Sequence, residues 1–270
     1  MTAASLDRSP QRLRLACIGA LVLALAACAA GGDVTRPIPQ AFVPAPQPAQ
    51  RLVVMLPGRG DDLAALQRRG VAQTIQSAWP DADVVLTGLT LPFYKQGHAA
   101  QRLHDEVIEP RRAGTRQPVW VVGISLGGMG AILYEHDYPQ QLDGLLLLSP
   151  YLGEGAVHAE VRAAGGLASW NPGPPQPMAA DTFQHELWRT LKTWVDDPAR
   201  ANAVWLAYGD SEPFRVPIEL MSPALPARHV MMQAGRHDWA LWTPALQALL
   251  ERVSIDAAAT ARTAPAHAAD

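Results

Sequence analysis

The sequence predicts an α/β fold built on a doubly wound, mostly parallel sheet of about six strands. Two observations carry this. Short apolar runs bounded by turn residues alternate with segments of helical periodicity. The runs are mostly apolar, as in strands buried on both faces, where a half-exposed strand would alternate. A third observation locates the centre. Val119 to Gly130 reads Val-Trp-Val-Val-Gly-Ile-Ser-Leu-Gly-Gly-Met-Gly, a strand, a tight Gly-rich turn and the start of a helix.

The elements follow in order. Leu52 to Leu56 is the first strand and stops at Pro57-Gly58-Arg59-Gly60. Asp61 or Asp62 caps the next helix, in which Leu63, Leu66, Val71, Ile75 and Trp79 recur near helical spacing. Asp83 to Leu86 is the second strand. A loop through Phe93 and Tyr94 leads to a helix carrying Ala99, Leu103, Val107 and Ile108, ending before Pro110. Val119 to Val122 is the third strand, Leu145 to Leu148 the fourth, Val204 to Tyr208 the fifth and His229 to Met232 the sixth. Ala240 to Val253 is the last helix. Ligands in such sheets bind beyond the carboxyl ends of the strands.

The ends of the chain read differently. Arg8, Arg12 and Arg14 precede the apolar stretch Leu15 to Ala27, which suits a signal peptide over residues 1–27. Leu25-Ala26-Ala27-Cys28 resembles a bacterial lipobox, which implies acylation of Cys28, export, membrane attachment and, in a Gram-negative cell, an outer-membrane address facing the periplasm. Ordinary cleavage after a small-x-small site is the alternative. Cys17 lies in the signal, so Cys28 is the one cysteine left after cleavage, and no disulfide is expected. Residues 28–50 are rich in Pro and Ala and read as a tether, 51–256 as the folded domain, and 257–270 as a disordered tail. The formal net charge of −3 and the lack of a basic cluster with interleaved aromatics argue against a nucleic-acid partner.

Gly123-Ile124-Ser125-Leu126-Gly127 is a G-x-S-x-G in strand-turn-helix context, the setting of a nucleophile elbow. Ser125 is the candidate nucleophile. A serine hydroxyl needs a base within hydrogen-bond reach, and the base needs an orienting carboxylate. The fifth strand runs into Tyr208-Gly209-Asp210-Ser211-Glu212, and the sixth into Gly235-Arg236-His237-Asp238-Trp239. Asp210 is the candidate acid, with Glu212 behind it, and His237 the candidate base. Asp238, adjacent to His237, reads as a helix cap. His98, His104, His136, His185 and His229 fall in helices, in the insertion or at the opposite strand edge. No metal ligand set or cofactor is expected, since nothing beyond His237 and Asp238 has useful spacing. The oxyanion donors expected are the amides of Leu126 and Arg59.

With these residues in place, the chain resembles the α/β-hydrolase superfamily over Arg51 to about Val253. Gly235-Arg236-His237-Asp238-Trp239 with Trp242 is similar to the histidine segment of the esterase D branch. Pro57 stands where a histidine often precedes the oxyanion glycine, a departure from the lipase-type pattern. The resemblance implies a compact hydrolase fold with a small cap between the fourth and fifth strands, residues 151–200. Phe183, Leu187, Leu191 and Trp194 there have helical spacing. Phe93, Tyr94, Tyr151, Trp170 and Trp239 are the candidate pocket residues. The implied activity is hydrolysis of a small-molecule carboxylic ester through an acyl-enzyme on Ser125. Thioesterase, lysophospholipase or acyltransferase chemistry on the same residues is the alternative, and a non-catalytic envelope binding protein a further one. Oligomeric state is not legible.

Overall fold

The computed structural model describes residues 31–114 and 117–263. The signal segment and Cys28 lie outside the described residues. Seven strands form one sheet: β1 (Gln40–Val43), β2 (Arg51–Leu56), β3 (Ala82–Thr87), β4 (Val119–Ile124), β5 (Gly144–Leu148), β6 (Val204–Gly209) and β7 (Val230–Gln233). Their order across the sheet is β1-β3-β2-β4-β5-β6-β7. All neighbours from β3 to β7 are parallel, while β1 runs antiparallel to β3, pairing Gln40 with Thr87 and Val43 with Val84.

The extra strand corrects the expected tether. Gln40–Val43 lies between prolines, and an edge strand tolerates such flanks because only one side of its backbone must pair. Ile38 just before it is 2% exposed, and its amide donates to Glu106 at 2.6 Å, so the chain is fastened to the domain well before Arg51.

The central strands are apolar throughout because both faces are covered. Val53 and Val54 in β2 have no exposed surface, yet they belong to opposite layers of the core. One layer is built from the helices Ala99–Leu103, Leu126–Asp137 and Phe183–Asp196, with Tyr134, Trp188 and Trp194 as its large side chains. The other holds Val71–Ala78 and the final helix, Trp239–Thr263. Trp79 joins that pair: its indole N–H donates to Leu250 O at 3.2 Å and Ser254 Oγ at 2.9 Å, and its ring meets Trp120 edge-on at 5.0 Å.

Two helices run further than expected. The segment beginning at Ala99 passes through a π-helical turn, His104–Ile108, and continues as Glu109–Arg112 across Pro110. The wider turn absorbs a residue that cannot donate a backbone bond. The last helix reaches Thr263, so residues 257–263 belong to it and not to a loose tail; Ala257, Ala258 and Ala259 have high helix propensity without any apolar periodicity. Asp62 caps its helix by accepting from Ala65 N at 2.7 Å, and Asp238 accepts from Ala240 N at 2.9 Å.

Between β5 and β6 the chain forms the helices Gly155–Ala163, Phe183–Asp196 and Pro198–Ala201. The loop before Phe183 is gathered by Arg189. Its guanidinium donates to the carbonyls of Pro172, Gly173 and Pro174 at 2.9 to 3.0 Å and to Glu186 at 2.7 Å. Burial alone would raise the Glu186 carboxyl, but the bonds from Arg189 and the Gln176 amide hold it below the usual range. Among the described residues no helix is long and apolar enough to cross a membrane.

Candidate active site

β4 delivers Ser125 to the carboxyl edge of the sheet. Ser125 has φ 51° and ψ −110°, a conformation L residues rarely adopt, and the helix Leu126–Asp137 begins directly after it. Two glycines make the turn possible. A Cβ on Gly123 would run into the Gly127 carbonyl, and one on Gly127 would run into the Leu56 carbonyl of β2. The strain is held by backbone bonds on both sides: Ser125 N donates to Leu148 O at 2.9 Å, and Tyr151 N donates to Ser125 O at 2.9 Å.

The loop after β7 brings His237 to this serine. Its Nε2 lies 2.9 Å from Ser125 Oγ and its Nδ1 2.7 Å from Glu212 Oε2. The side chain of Glu212 is fully buried. An ionised carboxylate only accepts, so Nδ1 carries the proton, Nε2 presents its lone pair, and the Ser125 hydroxyl donates to it. Phe214 and Trp242 meet the imidazole edge-on at 4.8 and 4.9 Å and confine the ring.

The carboxylate on His237 is therefore Glu212, a correction of the reading that put Asp210 there. The Asp210 side chain faces the β7 loop, where Oδ1 accepts from Gly235 N at 3.1 Å and from Ser211 Oγ at 2.8 Å. The Gly235 amide, then the Ser211 hydroxyl, hold its carboxyl below the usual range. Asp210 thus ties the loop that carries His237 without touching the ring. Glu212 gains its place because the chain turns after Asp210 and folds back. Its Oε1 accepts from Gly209 N at 2.6 Å and from Ser149 Oγ at 3.0 Å. Pro213 follows, and a proline disfavours helical backbone at the residue before it.

A cavity of about 530 Å³ opens over Ser125. Tyr94 and Tyr151 line it, as do Arg59 and Leu126. Much of the remaining wall is apolar: Leu91, Met129, Leu133, Phe183 and Phe214. The Tyr94 hydroxyl is buried against Gly130 without a partner among the described residues, and burial pushes the phenol well up. Three candidate pocket aromatics sit elsewhere. Phe93 is fully buried in the core with the Arg102 guanidinium over its ring at 4.7 Å. Trp170 is buried under the cap against the edge of His185. Trp239 points across the sheet edge, donating to Asp61 at 2.9 Å beneath the Arg69 guanidinium. Met129, Leu133 and Phe214 are wall residues that the sequence reading missed. Met129 and Leu133 are four apart on the elbow helix, a spacing that places both on one face.

No protein-family model matches the chain, and neither does any curated protein sequence. Solved structures do. MPT51 (FbpC1) of Mycobacterium tuberculosis superposes with a TM-score of 0.56 at 16% identity, covering 84% of this chain and 97% of that one. A monoacylglycerol lipase from Paleococcus ferrophilus gives 0.51 at 17% identity, over 80% and 99% of the two chains. S-formylglutathione hydrolase (FrmB) from Staphylococcus aureus gives 0.50 at 14%, over 81% and 98%. At these identities the likeness concerns architecture. The chain has the α/β-hydrolase fold.

Proposed function

We propose that the protein is a serine hydrolase that cleaves carboxylic esters, with Ser125, His237 and Glu212 as its triad. One observation carries the reading: His237 bridges Ser125 Oγ and Glu212 Oε2 at 2.9 and 2.7 Å, and Ser125 lines a largely apolar cavity. Ser125 attacks the ester carbonyl while His237 Nε2 takes its proton. Glu212 stabilises the imidazolium without being protonated. His237 returns the proton to the leaving alcohol, then activates water to release the acyl group. Leu126 and Arg59 line the cavity together with Ser125, and their amides are assigned to the oxyanion. The apolar wall suits an aliphatic or small aromatic acyl group. Ser125→Ala is expected to lower p-nitrophenyl ester turnover by at least about 10⁴-fold with an unchanged circular dichroism spectrum. Turnover retained by that variant would sink the assignment.

The address of the enzyme is a separate proposal: acylation of Cys28 would hold the domain at a membrane surface. Cys28→Ser should lose metabolic labelling by an alkynyl fatty acid. A variant that keeps its label has its lipid elsewhere.

A further inference from the structure

We propose that Ser149 is a positioning residue for the triad acid: its hydroxyl, oriented by the Trp242 indole, fixes Glu212 Oε1 so that Oε2 faces His237. The proposal rests on the hydrolase reading and extends it to two side chains that touch no substrate.

The direction of the chain of bonds follows from chemistry. Trp242 Nε1 lies 3.1 Å from Ser149 Oγ, and Ser149 Oγ lies 3.0 Å from Glu212 Oε1. An indole N–H only donates and a carboxylate only accepts. Ser149 therefore accepts from Trp242 and gives its own proton to Glu212. Without that bond Oε1 would keep the Gly209 amide alone, a single point about which the carboxylate can swing. Trp242 also abuts the base, its ring edge-on to His237 at 4.9 Å. One indole thus confines the imidazole and orients the donor that holds the imidazole's partner.

The backbone supplies an independent argument. Ser149 has φ 46°, and the residue is wholly buried. A buried residue in the left-handed region that needs no side chain would be served better by glycine. Here the side chain is a hydroxyl, and it satisfies two buried polar groups at once. The position lies at the end of β5, where Ser149 N donates to Ala207 O at 2.8 Å, beside the strand that carries Ser125. Strain retained at such a place points to use.

Ser149→Gly separates the hydroxyl from the backbone, because it relieves the strain while deleting the donor. Expected are a Tm at or near the wild-type value and an unchanged KM, since Ser149 does not line the cavity. The kcat should fall about 10- to 100-fold, the scale of one hydrogen bond to a charged group. Trp242→Phe, which keeps a ring against His237 but removes the N–H, should lower kcat in the same direction by less. A substrate-free readout is the downfield proton resonance of His237 Nδ1–H: sharp in wild type, broadened by exchange in Ser149→Gly. Wild-type kcat and resonance in Ser149→Gly overturn the proposal. So does a loss of kcat that tracks a fall in Tm with the resonance unmoved. A folded wild type that neither turns over esters nor takes a fluorophosphonate on Ser125 refutes the hydrolase reading instead, while the resonance still reports whether Ser149 orders Glu212.

Discussion

Glu212→Gln and Asp210→Asn distinguish the two acids of one turn. The two oxygens of Glu212 face different partners. Oε1 receives two donors, Gly209 N–H at 2.6 Å and Ser149 O–H at 3.0 Å, while Oε2 receives His237 Nδ1–H at 2.7 Å. In Glu212→Gln the amide oxygen must take the place of Oε1, because an NH₂ there would confront two donors. The NH₂ then faces Nδ1, which must present its lone pair. The proton moves to Nε2 and points at Ser125 Oγ, so the base is in the wrong tautomer. Such a swap costs about 10⁴-fold in kcat, or about 5.5 kcal/mol at 1.36 kcal/mol per decade. Asp210→Asn leaves a carbonyl oxygen able to accept from Gly235 N and Ser211 Oγ, and the loss should stay within about threefold. Initial rates on a p-nitrophenyl ester near neutral pH, with circular dichroism on each variant, measure both. The reasoning is refuted if Asp210→Asn shows the larger loss, or if Glu212→Gln keeps more than about a tenth of the activity.

Two further outcomes test the scaffold. Gly127→Ala drives a methyl into the Leu56 carbonyl, a backbone atom of a central strand, and should cost at least about 2 kcal/mol, lowering Tm by about 5 °C or more; an unshifted melt would show that the elbow can yield. His136 ends the elbow helix with Nδ1 2.7 Å from Asp137 Oδ1 and Nε2 3.6 Å from Glu186 Oε2 of the cap helix. The Asp137 hydrogen bond first, then the charges of Asp137 and Glu186 against the opposing effect of burial, hold the imidazolium above its ordinary range. A raised value means stabilisation that is complete below the unfolded-state value and lost as pH rises through the folded one. Wild type should therefore lose Tm relative to His136→Gln as the pH rises above the ordinary imidazole value of about 6.5. Parallel curves would remove His136 from the account of cap stability.

The parts of this site that the sequence displays are those fixed by local constraint. The elbow is legible because its turn leaves no room for a Cβ at Gly123 or Gly127. His237 is legible because it follows the last apolar run at the carboxyl edge. Asp210 and Glu212 are two residues apart on the same turn, and the choice between them depends on where the turn aims each Cβ, which residue type does not specify. The aromatics failed for the same reason. Phe93 and Tyr94 are neighbours, yet one enters the core and the other lines the cavity. Gln40–Val43 was hidden by its prolines, since nothing in four residues announces that β3 needs a partner on its outer side.

That last strand changes how the molecule is to be handled. A gene trimmed to begin at Arg51, where the apolar pattern starts, would remove β1 and the Ile38 anchor together. It would leave the outer rail of Ala82–Thr87, a mostly apolar strand, with its amides and carbonyls open to solvent. Exposed rails of that kind recruit other chains. The proline-flanked segment thus acts as a selvedge on the sheet, and recombinant forms that keep it from residue 31 onward will stay dispersed where shorter ones self-associate.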